Sequence, residues 1–139
     1  MSDIFHSSKY CIERAKHHLS DFERQIAEFF KTNPYCLVVE TNPNTSEKIQ
    51  KVKLVKPLPV ALPGIASDLV NNLRSTLDQA VFAILKTKNA FFPIAPTLAD
   101  FQNSVKGRCG GLPPEIANLI SGFKPYKGGN NLTIVIGNL

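Results

Sequence analysis

The stretch IASDLVNNLRSTLDQAVFAILK, residues 65–86, decides how this chain folds. An α-helix turns by about 100° per residue. With Ile65 set at zero, Ala66, Leu69, Val70, Leu73, Leu77, Ala80, Val81, Ala83 and Ile84 share an arc of about 160°. A stripe that wide predicts a core helix rather than a coiled-coil seam, running from Pro63 or Gly64 to about Lys86. From Ala80 to Leu85 it is apolar almost all round, so that half is expected to be the most buried. Phe82 projects from the otherwise polar side and is expected to meet the hairpin described next, another helix or a second subunit.

Upstream lies a second helical segment, about Ser7 to Thr32. Ile12, Ala15, Leu19, Phe22, Ile26 and Phe29 recur there at spacings of three and four, the signature of a narrow apolar stripe. Asn33-Pro34 ends it, because proline disfavours helical geometry in the residue before it. Between the two helices, Tyr35–Thr41 is rich in β-branched residues, Asn42–Ser46 is a turn cluster, and about Lys48–Lys56 reads as a second strand. Two such runs joined by turn residues predict a β-hairpin. Lys51 and Lys53 alternate with Val52 and Leu54, which assigns the lysines to a solvated strand face. Pro57, Pro59 and Pro63 form an extended connector.

Beyond Lys88 the pattern shortens. Phe91-Phe92-Pro93-Ile94 predicts an extended segment that inserts aromatics into the core. Thr97–Val105 predicts a short helix with Thr97 as N-cap and Asp100 in its first turn. Gly107–Gly111 reads as a loop. Pro113 or Pro114 to Ser121 reads as another helix with Gly122 just past its end. Asn130 or Asn131 is placed to cap a final helix through Leu132, Val135 and Leu139, an element that the sequence cuts short. The expected architecture is α+β and mainly helical: two long antiparallel amphipathic helices linked by a β-hairpin, plus short C-terminal helices. It is read as a single domain over 1–139, truncated at its C-terminus.

Composition narrows the function classes. With 43% hydrophobic and 19% charged residues, the chain is a globular protein rather than a disordered one. No apolar run approaches the roughly 20 residues that cross a bilayer, and the first ten residues do not resemble a signal peptide. Cys11, Cys36 and Cys109 form no paired-ligand spacing, so a cytoplasmic location is expected. The net charge of +5 raises the question of nucleic acid. Residues 1–34 carry five basic and five acidic side chains and cancel, however, so the excess lies in Lys48, Lys51, Lys53, Lys56 and a scatter beyond Arg74.

Catalytic patterns are mostly absent: no phosphate-cradling glycine loop, no nucleophile elbow, no zinc motif. Cys11 and His18 share a helix face but supply only two of the three or four ligands a metal needs, so neither metal nor cofactor is expected. The most suggestive segment is Asp68–Gln79, which sets polar side chains on a core helix. Arg74 and Asp78, four apart, are positioned for an intrahelical ion pair. Asp68, Asn72, Ser75 and Gln79 form a separate row. The candidate binding residues are therefore Arg74, Asp78, Gln79 and Asn72. They either face a partner or ligand or constitute an exposed polar surface.

The motif order adds a resemblance. Asn72–Gln79 followed by Ala80–Leu85, Phe92-Pro93-Ile94, Leu112-Pro-Pro-Glu115 and Lys124-Pro-Tyr126 resembles an uncharacterised bacterial and phage-associated family with an NLRSALDH-like helix, an FPI segment and a PY turn. In that family the helix commonly reads Arg, four residues, His, which is similar to the signature of HEPN ribonucleases. Arg74 matches the arginine, but Gln79 stands where the histidine belongs, and an amide cannot exchange protons as imidazole does near neutral pH. The family pattern also continues past a point like Leu139 into a basic, histidine-containing segment. The resemblance thus implies a binding relic or pseudoenzyme. Two functions stay open: a non-enzymatic interaction or structural module of bacterial or phage origin, with a homodimer or protein partner, and an RNA-binding or catalytically degenerate HEPN-like protein.

Overall fold

Asp3 starts the first helix. Its carboxylate accepts from Phe5 N at 3.0 Å and its carbonyl from His6 N at 3.1 Å, so two donors at the helix entry are satisfied. The computed structural model describes residues 3–129 and contains α1 (His6–Lys31), β1 (Tyr35–Thr41), β2 (Lys48–Leu54), α2 (Ala61–Leu85), α3 (Leu98–Arg108) and α4 (Pro114–Gly122). The class is mainly helical α+β, with β1 and β2 paired antiparallel. The expected final helix after Asn130 lies outside the described residues. The described residues fall into two compact units, one made of 3–15 and 70–129, the other of Lys16–Leu69.

In the first unit the core gathers Val81 of α2, Phe101 of α3, Ile120 of α4, and Ala90, Phe92, Ala95, Cys109 and Leu112 from the connections. Pro93 is fully buried. Phe91–Ile94 is neither helix nor strand and turns tightly at Pro93, where Ile94 N donates to Phe92 O at 3.1 Å; Ala95 N donates to Pro125 O at 3.0 Å, which ties the segment to the Lys124-Pro-Tyr126 turn. The Tyr126 ring lies 5.7 Å from that of Phe101. Ser8 and Ala15 of α1 are buried in this unit, and Ser8 Oγ donates to Thr76 O of α2 at 2.8 Å. Ile12, expected on the inner stripe, is 37% exposed. The small, hydrogen-bonding Ser8 takes the inward position because it satisfies a carbonyl at close approach, which isoleucine cannot do.

Thr97 caps α3 as expected, accepting from Asp100 N at 3.1 Å. The helix then continues through Gly107 to Arg108, where a loop was predicted. Interior glycine costs about 1 kcal/mol relative to alanine, but burial of Cys109 at the C-cap holds the last turn, and Cys109 N donates to Val105 O. Gly111 then adopts φ +101°, in the left-handed region open to glycine, and turns the chain so that Leu112 enters the core. Pro114 opens α4, and Gly122, expected just outside, is its last residue. Of the segment Ala80–Leu85, Val81 is buried, but Phe82 is 50% exposed.

In the second unit α1 ends at Lys31, and Asn33 just beyond it takes φ +50° rather than the extended geometry that the following proline predicts. Asparagine tolerates this left-handed conformation and ends the helix through it. Pro34 is fully buried, and its carbonyl accepts from Val55 N at 2.8 Å, which closes the base of the hairpin. Phe29 and Leu62 are buried. Leu19, placed on the inner stripe by spacing, is 43% exposed, while its neighbour His18 is half-buried. α2 begins at Ala61, two residues earlier than expected, because Pro63 sits in the first turn where helix N–H groups have no intrahelical partner.

Cys109 supplies a test of the first unit's core. Burial pushes its thiol pKa up, against a smaller opposing pull from Arg108. For an acid raised in this way the neutral form is favoured by folding. The contribution is present below the ordinary thiol pKa and is lost as pH rises through the raised one. A thiol reagent at mildly alkaline pH is expected to label Cys11 and Cys36 well before Cys109. The urea midpoint should fall as pH rises above the ordinary thiol pKa, and less so in Cys109→Ala.

Candidate functional site

One peptide bond organises the candidate site. The N–H of Phe92 donates to Asp78 Oδ1 at 2.9 Å, and the carbonyl of Phe91, the other end of the same peptide, accepts from the Cys109 thiol at 3.6 Å. The Phe91–Ile94 segment is thereby tied to α2 on one side and to the end of α3 on the other. It points Phe92 into the core and leaves Phe91 44% exposed.

Asp78 uses its second oxygen on Arg74, one helical turn earlier, with Nε to Oδ2 at 3.2 Å. Both side chains are partly shielded, Asp78 at 22% and Arg74 at 35% exposure. An exposed pair of this spacing contributes a few tenths of a kcal/mol. Its importance here is geometric. Engaging Nε leaves the two terminal nitrogens of the guanidinium unused by Asp78, in the planar fork that suits a phosphate or carboxylate.

Arg74 is one of six residues lining an open pocket of about 600 Å³, with Asp78, Asn89, Phe91, Gly107 and Arg108. Arg108 stands in the last turn of α3, where a cation is favoured by the helix dipole. Gly107, having no side chain, leaves the wall open beside it. The pocket therefore combines two guanidinium groups, one carboxylate already engaged at both oxygens, an exposed amide and an exposed aromatic ring.

The other two candidates lie elsewhere in this unit. Asn72 does not line the pocket; its carbonyl accepts from Thr76 Oγ1 at 2.9 Å. Gln79 is turned toward α1, where Nε2 approaches Cys11 Sγ at 3.4 Å, and its Oε1 is buried with no hydrogen-bond partner. The arginine and the glutamine of the Arg-x4-Gln segment thus do not share this pocket. Sequence reading missed Arg108, Asn89 and Phe91. The available signal was Arg108 beside Gly107, within the segment that reads as a loop, and the adjacent Phe91-Phe92 pair, of which only Phe92 is buried. No group of three or more His, Cys, Asp or Glu side chains suited to a metal occurs among the described residues.

Compared with known proteins, the chain matches no family model, no curated protein and no solved structure.

Three substitutions separate the roles on α2. Asp78→Ala should destabilise the fold by about 2 kcal/mol, since it strands the Phe92 N–H and removes the Arg74 contact, whereas Asp78→Asn, which keeps an acceptor, should cost about half as much. Gln79→Leu removes a buried carbonyl without a partner and is expected to raise stability by about 1 kcal/mol. Urea unfolding of the three variants measures both effects.

Proposed function

We propose that the protein is a non-enzymatic binding module that holds a phosphate-bearing strand, single-stranded RNA as the substrate class, in the pocket between α2 and the end of α3. The observation that carries this reading is the pair of arginines on one open pocket, with Arg74 held by Asp78 through Nε alone. Arg108 supplies a second contact to the backbone phosphate, Phe91 a platform for one base, and Asn89 an amide for a base edge. Turnover would need a proton-transferring group. The six lining residues offer only Asp78, whose oxygens are both engaged, and Gln79 stands outside the pocket. Binding without chemistry follows.

The reading accords with the pseudoenzyme that the motif resemblance implies, and with a bacterial or phage module acting in the cytoplasm. No helix among the described residues is long and apolar enough to cross a membrane.

Salt dependence tests the reading directly. Two arginine–phosphate contacts give a slope of about −1.4 in log K against log salt, so affinity for a short single-stranded RNA should fall about sevenfold from 50 to 200 mM salt. Arg108→Ala should halve that slope, and Phe91→Ala should weaken binding about tenfold with the slope unchanged. Absence of binding at the lower salt, or binding indifferent to Arg108→Ala, removes the proposal.

A further inference from the structure

The hairpin of the second unit presents its apolar side to solvent. Register places Tyr35 opposite Leu54, Leu37 opposite Val52 and Val39 opposite Gln50, and alternation puts all of these on one face. On that face Leu37 is 74%, Val52 68%, Val39 59%, Tyr35 45% and Leu54 43% exposed. Phe30, half-exposed at the end of α1, stacks on Tyr35 at 5.8 Å and extends the strip. The opposite face half-buries Cys36 and Val38 and carries Lys53 and the Glu40–Lys51 ion pair. Lys51 and Lys53 are exposed, as expected, but the hydrophobic residues of the other face are exposed as well. A two-stranded sheet is marginal without a cover on its apolar face.

We infer that this strip is the contact between two copies of the chain, packed hairpin face to hairpin face. Three observations select a second copy. The strip holds no acidic residue and only Lys48 at its far end, so it has no charge for a foreign surface to complement, while it is complementary to itself. A two-fold axis lying between the sheets and across the strands sets Lys48 of each copy beyond the other's apolar centre and produces a four-stranded sandwich at ordinary sheet spacing. The exposed area of these residues is about 600 Å² per copy, so complete coverage would remove at most about 1,200 Å² in total, against the roughly 1,000 Å² that a specific interface needs. The inference is independent of the arginine pocket, which belongs to the other unit.

Sedimentation equilibrium of the full chain at ~50 µM should give about twice its 15.3 kDa mass. Because each copy carries +5, added salt screens their repulsion, and association should hold or tighten as salt rises. The double variant Leu37→Lys, Val52→Lys should weaken association at least tenfold with an unchanged far-ultraviolet circular dichroism spectrum, since neither side chain is buried in the chain itself. Leu37→Thr, Val52→Thr, which keeps strand propensity, serves if the lysine pair perturbs the fold. A monomer at every salt concentration overturns the inference. So does a dimer that survives both double variants, which would place the contact on the open strand edges or elsewhere.

Discussion

The geometry of the first unit depends on one peptide group with both ends held. Asp78 takes the Phe92 N–H, and Cys109 gives its thiol hydrogen to the Phe91 carbonyl. Irregular backbone between helices has no ladder to satisfy it, and leaving such groups buried and unpaired costs about as much as a lost hydrogen bond. Solving that problem with one residue from α2 and one from the end of α3 sets the spacing of three elements together. The pocket is what remains on the outer side of the same clamp. Asp78 thus serves packing with one oxygen and arginine orientation with the other.

The electrostatics of the pocket follow from this division. A carboxylate beside an arginine usually neutralises it, and here Asp78 does so only on the Nε side. Arg108 has no acidic lining residue left to meet. The local excess is a single positive charge, small enough to be screened at ordinary ionic strength unless ligand contact excludes water. Specificity then has to come from the shape of the two forks and from Phe91, rather than from a strong long-range field.

The elements were legible in the sequence because periodicity reports local amphipathicity. The width of the α2 stripe, the β-branched run at Tyr35–Thr41, Thr97 ahead of Asp100 and the prolines at 113 and 114 each specify an element through short-range chemistry, and the structure has those elements. What failed was the placing of two residues of the α1 stripe, whose Ala15, Phe22, Ile26 and Phe29 are buried or half-buried as expected, and the end of α3. Ser8 and His18 turn inward where Ile12 and Leu19 were expected, and Gly107 stays helical because Cys109 is buried just beyond it. Those choices depend on what packs opposite, which no local pattern contains. The site divides in the same way. Arg74 and Asp78 are one turn apart and readable together, whereas Arg108 and Phe91 join them only through the tertiary clamp.

The division of the chain into units has a consequence for synthesis. Lys16–Leu69 is continuous in sequence, so its hairpin can close soon after it leaves the ribosome. The other unit joins its opening residues to a segment that begins at Val70, and Ile120 is among its core residues. The first turns of α1 must therefore wait, with Ser8 and Ala15 uncovered, while most of the polypeptide is made. Contacts so distant in sequence are slow to form. The polar character of that opening stretch, with Asp3 paired to Lys9 and Ser8 at the inward position, suits a segment that spends its early life in water.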